Sequence, residues 1–136
     1  LLMDNLRRWD GRRYPKDPAP ISRIYNDRII GTADASKLCE NPELTGRWDL
    51  LIVNLPHRTI ELLPSLVPLL NRKTPSMVRG RVIAQESEIE EANNSIRLNL
   101  PDTLDGSPPP TLRIKRDYSS KLRLCSFHAW IAPGEN

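Results

Sequence analysis

Asn54 and Pro56 are the residues whose types and positions most directly suggest chemistry. They follow an apolar run, Leu50–Val53, which stops abruptly at Asn-Leu-Pro. A short continuous apolar run is typical of a buried parallel strand, and ligands of open α/β sheets bind beyond the carboxyl ends of such strands. The asparagine amide offers an acceptor and a donor for the edge of a planar base, and the proline makes the turn rigid. The alternative is a plain strand-to-helix loop.

Basic residues concentrate at both ends of the chain, although the net charge is only +3. The amino-terminal cluster also contains Trp9 and Tyr14, which can stack on bases. We therefore predict RNA as a partner, and a solvated basic surface is the alternative. The predicted RNA-binding residues are Arg7, Arg8, Arg12, Arg13, Lys115 and Arg116.

The composition excludes several classes of protein. The chain has 136 residues, of which 38% are hydrophobic and 27% are charged, which indicates a globular domain with a core of its own. No apolar run approaches the ~20 residues that cross a bilayer, so we expect no membrane association. Cys39 and Cys125 show neither metal spacing nor a disulfide framework. We therefore predict no metal site and an intracellular location, either mitochondrial or cytoplasmic.

The pattern of elements predicts an α/β fold. Two helices separate the later strands: a bent one with Thr59 as its N-cap and breaks near Pro64 and Pro68, and one that begins with a capping box at Ser87–Glu90. Alternating strands and helices imply a parallel sheet, here ending in an antiparallel hairpin. The predicted strands are Arg23–Gly31, Arg47–Asn54, Met77–Ala84, Leu112–Arg116 and Leu122–Ile131.

We divide the chain into three parts. Residues 1–22 form a basic, proline-rich arm with a short helix around Met3–Trp9. Residues 23–133 form the α/β domain, and residues 134–136 form a tail.

Several segments carry a family resemblance. WDLLIVNLP at Trp48–Pro56, followed by IELL at Ile60–Leu63, resembles the FDHxxMNLP…EFL block of the tRNA (guanine-N1) methyltransferases and their wybutosine-synthesis relatives. Gly31–Ala35 is similar to the block that precedes it in that family, and Leu112–Pro133 is similar to the family's last two strands. The resemblance extends from about Arg28 to Pro133.

The resemblance implies a Rossmann-like sheet of the class I methyltransferases, with strand order 3-2-1-4-5-7-6. This chain would supply strands 3 to 7. The resemblance also implies that Asn54 and Pro56 line the target-base pocket as catalytic residues, and that Asp34 holds the adenine end of S-adenosylmethionine. A helix N-cap is the alternative role for Asp34. The implied partner is tRNA or rRNA.

The chain departs from the family at the donor site. None of its six glycines lies in a Gly-x-Gly turn, so the glycine-rich segment that cradles the donor is missing, and S-adenosylmethionine is expected only if another polypeptide completes the site. Without strands 1 and 2 the strand over Leu50–Asn54 would keep an unpaired apolar edge. We expect a second polypeptide or an upstream segment to cover this edge, or Arg23–Ile30 to pair with it directly.

Three functions follow from these observations. The first is the carboxyl-side half of an RNA methyltransferase. The second is a catalytically inactive, methyltransferase-like structural or assembly subunit of a large ribonucleoprotein, such as an organellar ribosome. The third is an interaction domain without an RNA role, which would dock a partner through Leu62, Leu66 and Leu69 if these were not core residues.

Overall fold

A computed structural model of the protein describes residues 5, 7–9, 11–12, 21–24, 28–31 and 33–134. The chain forms two compact units, Leu1–Asp34 and Ala35–Asn136. The boundary between the units lies after Asp34, whereas the sequence suggested a boundary after residue 22. Asn5 and residues 7–9 are helical, in agreement with the predicted short helix.

The first unit contains a β-hairpin where a single strand was predicted. Strand β1 (Ile21–Ile24) pairs in antiparallel orientation with β2 (Arg28–Gly31). The prediction of one strand over Arg23–Gly31 is therefore wrong. Of the three alternatives for the edge of the central strand, direct pairing with this segment is not found among the described strands, because β1 and β2 form a sheet of their own. The sequence between the two strands contains Asn-Asp, a pair that favours turns over a continuous strand.

The second unit is built on a mixed four-stranded sheet with the order β3-β4-β6-β5. Its strands are β3 (Leu50–Val53), β4 (Ser76–Ala84), β5 (Arg113–Asp117) and β6 (Arg123–Ile131). β3 and β4 are parallel, and the other two pairs are antiparallel. The predicted α/β class and the closing antiparallel hairpin are confirmed.

Two α-helices connect the strands of this unit. Helix α1 (Thr59–Leu66) follows β3 and continues into a 3₁₀ turn at Val67–Leu69, and helix α2 (Ile89–Asn99) follows β4 and a 3₁₀ turn at Glu86–Glu88. A third 3₁₀ segment, Ala35–Glu40, precedes β3. None of the described helices is long and apolar enough to cross a bilayer.

Both α-helices pack on the same face of the sheet and form the core with it. Leu63 of α1 and Ile96 of α2 are fully buried against Val78 of β4 and against Cys125 and Ile131 of β6. The alternation of β4 explains this arrangement, because every second residue from Ser76 to Ala84 is buried. Leu62, Leu66 and Leu69 are also buried, so they are core residues and not a docking face.

The helix starts differ from the predicted ones. Arg58 is the N-cap of α1, and the fully buried Thr59 instead donates its hydroxyl hydrogen bond to the carbonyl of Leu55 at 3.0 Å. Ser87 lies inside a 3₁₀ turn, and the N-cap of α2 is Glu88, which makes no side-chain capping bond. Both predicted caps are therefore wrong, because buried contacts and 3₁₀ turns shifted the helix starts away from the sequence signals.

The second face of the sheet is exposed, and we call it the open face. β3 was predicted to be buried on both sides, but Leu50 is 48% exposed and Ile52 is 66% exposed. The prediction is wrong because Leu50 and Ile52 lie on the sheet face opposite the helices, which pack only on the other face. Trp130 is also 41% exposed on this face. The open face consists of Leu50, Ile52, Met77, Arg79, Arg81, Ile83, Arg113, Arg116, Leu124, Ser126, His128 and Trp130. Leu124 is the buried member of this set.

Gly80 is a testable packing constraint in the middle of β4. A Cβ at this position would lie 2.5 Å from Cε1 of Phe127 and 3.1 Å from Cγ2 of Thr59. We expect Gly80→Ala to lower the free energy of unfolding by about 1–3 kcal/mol because the core has no room for the methyl group, as measured by urea denaturation. The loss should shrink in a Phe127→Leu background. Gly134→Ala is the control, since its Cβ would meet only the flexible end of Arg72; equal losses at both glycines would contradict the packing model.

Asn93 links α2 to the strand that begins after Leu112. Its side chain is 2% exposed, and its Oδ1 accepts the backbone N–H of Leu112 at 2.8 Å. We expect Asn93→Ala to cost about 1–3 kcal/mol of unfolding free energy, because it leaves a buried N–H without an acceptor. The neighbouring Asn94 is exposed, so Asn94→Ala serves as the matched control in the same denaturation experiment. An Asn93→Ala variant as stable as Asn94→Ala would show that this hydrogen bond does not stabilise the fold.

Candidate functional site

A pocket of about 470 Å³ lies on the sheet beside the carboxyl end of β3. Its volume falls within the range of small-molecule sites. It reaches across all four strands of the second unit, so residues far apart in sequence share one concavity. Its lining residues are Ile52, Val53, Asn54, Arg79, Gly80, Arg81, Lys115, Ser126, Phe127 and His128.

The register of the sheet places the basic side chains of this pocket next to each other. Arg79 lies opposite His128 on β6 and beside Ile52 on β3. Arg81 lies opposite Ser126. A register shift between Ile114 and Arg116 interrupts the β5–β6 ladder, and the intervening Lys115 lines the same pocket. The pocket therefore collects cationic groups from two different strands.

No acidic residue is among the described residues that line the pocket. The salt bridges of the described residues lie elsewhere: Arg58 pairs with Glu61 at 2.6 Å, and Arg123 lies 3.3 Å from Asp117 and 3.7 Å from Glu86. Like charges on adjacent positions of a sheet repel one another. The pocket is thus a region of positive potential that attracts an anionic group.

Asn54 lies at the rim of this pocket, in a loop held by backbone contacts. The carbonyl of Pro56 accepts the N–H of Ile83 at 3.1 Å, and the carbonyl of Leu55 accepts the N–H of Arg58 at 2.7 Å. The Asn54 side chain is exposed and makes no hydrogen bond to a described residue. The loop backbone is therefore held in place, and the Asn54 amide keeps its donor and acceptor available for a ligand.

A pair of aromatic rings lies close to the Asn54 loop. His57, in the loop after β3, and Tyr118, in the turn after β5, meet edge to face with ring centroids 5.8 Å apart. Both side chains are exposed. This contact brings the β5–β6 turn to the Asn54 loop at the carboxyl end of β3.

The structure brings only some of the predicted site residues together. Asn54 and Lys115 line one pocket, whereas the half-buried Pro56 is not part of its lining. Arg116 is exposed on β5, opposite Leu124. Asp34 is exposed and directly precedes the 3₁₀ segment Ala35–Glu40.

The remaining predicted residues belong to the amino-terminal arm. Arg7 and Arg8 are exposed in its helical stretch, and Arg12 is half-buried. Arg13 lies outside the described residues.

Sequence reasoning missed Arg79, Arg81 and His128 as site residues. The signal was present in β4, where two arginines alternate with Val78, Gly80 and Val82. In a strand, residues two apart share a face, so this pattern predicts adjacent arginines on one side of the sheet. What the sequence did not reveal was that β5 and β6 would add Lys115 and His128 to the same face.

The cysteines and acidic residues form no further reactive site in the described part of the chain. Cys39 and Cys125 are both free. Cys125 is buried, and burial raises the pKa of its thiol, which keeps it protonated and unreactive at neutral pH. No group of three or more His, Cys, Asp or Glu residues in the described ranges is placed to hold a metal ion.

No family model matches this chain, and no curated protein or solved structure matches it significantly. The class of the protein therefore rests on its fold and its pocket. It contains an α/β unit with a mixed open sheet, helices on one face, and a cationic pocket at the carboxyl end of its parallel strand pair.

The contrast between the two thiols can be measured. We expect Cys125 to react with a thiol reagent only as fast as the protein unfolds, because its sulfur is buried and its pKa is raised. The half-buried Cys39 should react earlier. The experiment follows Ellman's reagent near pH 8 in the Cys39→Ser variant, with and without urea. Rapid labelling of that variant without urea would show that Cys125 is accessible.

Proposed function

We propose that this chain is the carboxyl-side portion of an RNA methyltransferase of the tRNA (guanine-N1) type. It supplies the target-base side of the site, and a further polypeptide segment supplies the donor side. The observation that carries the proposal is the sheet, whose order β3-β4-β6-β5 corresponds to strands 4-5-7-6 of the methyltransferase order. Asn54 and Pro56 directly follow the first of these strands.

The two edges of the sheet support the proposed missing segment. β5 forms one edge, and it is protected by charged residues and by a register shift. β3 forms the other edge. It has four apolar residues, and no described strand pairs with its outer side. Strands 1 and 2 of the proposed fold would pair with this unprotected edge. They would come from a second polypeptide or from a covalently continuous segment.

An apolar row on the open face extends the proposed contact surface. Leu50, Met77 and Trp130 are direct neighbours across β3, β4 and β6. Leu50 and Trp130 are 48% and 41% exposed. This row lies at the end of the sheet away from Asn54, so the completing segment would cover it and leave the cationic pocket accessible.

In this proposal each residue has a defined task. Asn54 hydrogen-bonds the edge of the target base, and Pro56 holds the loop that carries it. Lys115 and Arg116, together with the arm residues Arg7, Arg8, Arg12 and Arg13, contact RNA phosphates. Methyl transfer to a ring nitrogen depends mainly on orientation and on removal of a proton. No carboxylate is among the described lining residues, so we assign the general base to the completing segment.

The described residues alone do not fit S-adenosylmethionine. Gly80 packs beneath Phe127, and Gly46 donates its N–H to the carbonyl of Pro68. Neither belongs to a glycine-rich turn that could cradle the donor, and no such turn occurs elsewhere in the sequence. Asp34 is the residue proposed to meet the donor's adenine once the site is complete.

A catalytically inactive subunit of a large ribonucleoprotein is the second candidate function. The same pocket favours it, because cations and an amide bind RNA without needing an acid–base pair. RNA binding is common to both functions, so it does not distinguish between them. Methyl transfer distinguishes them, because only the methyltransferase carries it out.

The test is methyl transfer by the natural assembly that contains this chain. It is purified from its own cells together with any covalent extension or partner, and incubated with tRNA and radiolabelled S-adenosylmethionine. We expect Asn54→Ala to lower kcat/KM by roughly 10²-fold, since misorientation of a bound base costs about that much. Asn94→Ala, on the exposed side of α2, is the matched control and should leave the rate unchanged.

Two results would overturn parts of this proposal. An assembly that binds tRNA but transfers no methyl group would favour the inactive ribonucleoprotein subunit. Micromolar binding of S-adenosylmethionine to the isolated chain, measured by calorimetry, would show that no further segment is needed for the donor site.

A further inference from the structure

We propose that the cationic pocket on the open face binds one nucleotide unit of RNA, with its phosphate held by Arg79, Arg81 and Lys115 and its base directed to Asn54. This inference deepens the proposed function and takes its RNA partner from it. It adds Arg79 and Arg81 to the predicted RNA contacts. It also orients the bound nucleotide, with the phosphate at the cations and the base at Asn54.

The phosphate end of the pocket is defined by three exposed cations. Arg79 and Arg81 are two residues apart on β4, about 7 Å along the strand, so both guanidinium groups reach one bound phosphate. Lys115 reaches the pocket from the register shift in β5. Among the described residues none of the three takes part in a salt bridge. Planar guanidinium groups match phosphate oxygens in two-pronged hydrogen bonds, and the ammonium adds a point charge.

This arrangement lowers the stability of the free protein. β4 is a central strand, paired on both sides, and its two arginines lie two residues apart on one face in the middle of the sheet. Like charges at such positions are destabilising, and no carboxylate in the described lining relieves the repulsion. A bound phosphate would relieve it, which gives a physical reason for the cluster that folding alone does not supply.

The base end of the pocket has a different chemistry. Ile52 is 66% exposed and provides an apolar wall, and the amide of Asn54 stands beside it with no described hydrogen-bond partner. An apolar surface with one amide suits a planar base, whereas the cationic end suits its phosphate. The volume of about 470 Å³ accommodates a single nucleotide.

The experiment measures RNA binding without a methyl donor. A fluorescein-labelled single-stranded RNA of twelve nucleotides is titrated with the full chain, and anisotropy is followed between 50 and 200 mM salt. We expect Arg79→Ala, Arg81→Ala and Lys115→Ala each to weaken Kd several-fold. Each should also reduce the slope of log K against log salt by about 0.7, the contribution of one phosphate contact in a single strand.

Two kinds of control separate a specific contact from a change in net charge. Lys73→Ala removes the same charge as Lys115→Ala from an exposed loop before β4 and should leave both Kd and slope nearly unchanged. Arg81→Lys keeps the charge but loses the two-pronged geometry, so it should retain the slope and lose part of the affinity. Circular dichroism of each variant confirms that the sheet is intact.

Competition identifies the group that is bound. Guanosine monophosphate should displace the labelled RNA at lower concentration than guanosine or inorganic phosphate, because only the nucleotide occupies both ends of the pocket. Equal competition by guanosine and its monophosphate would overturn the phosphate assignment. Displacement by an acidic peptide as effective as that by the nucleotide would show that the pocket recognises anions of another class.

The outcome is separable from that of the proposed function. If the three pocket variants bind RNA as tightly as the unchanged protein while Asn54→Ala still lowers the rate of methyl transfer, the nucleotide pocket is wrong and the methyltransferase proposal stands. If the pocket variants lose RNA affinity but the natural assembly transfers no methyl group, the pocket stands and the methyltransferase proposal fails.

Discussion

Strand β4 contributes hydrogen bonds to β3 on one side and to β6 on the other, so the sheet of the second unit depends on it. Its alternation divides the unit into two faces. Val78 and Val82 point into the core beneath the helices, while Arg79 and Arg81 point to the open face. Gly80 between them lets the Phe127 ring pack closely. The same strand thus contributes core residues to one face and the two arginines of the pocket to the other.

The unequal coverage of the sheet is the feature that most shapes its function. Helices occupy one face, and the other shows an apolar row at one end and a cationic pocket at the other. The apolar row begins at Leu50, at the amino end of β3, whereas the cationic pocket lies at the carboxyl end of this strand and extends to Lys115 on β5. Apolar edges and faces are usually paired or covered in native proteins. This distribution is consistent with a protein segment docking at one end and an anionic ligand at the other.

The chemistry available in the pocket is that of binding and orientation. Arginine and lysine can hold phosphates, and an asparagine amide can hydrogen-bond the edge of a base. The pocket offers these groups on strands, and on a loop held by backbone hydrogen bonds to β4 and α1. Because these strands and this loop backbone are already ordered, they lose little conformational entropy when a ligand binds. A donor and a proton acceptor from the completing segment would turn such a binding surface into a transferase.

Local patterns in the sequence determined the α/β class, the core strands and the closing hairpin, because apolar periodicity reports directly on burial. They also marked Asn54, since a strand that ends in Asn-Leu-Pro points a polar group to the edge of a sheet. Only the tertiary structure decided that Arg23–Gly31 folds back on itself, that β3 is half exposed, and that Thr59 is a core residue. It alone joined Lys115 to Arg79 and Arg81. These outcomes depend on strand order and on which faces are covered, and both are set by contacts between residues far apart in the chain.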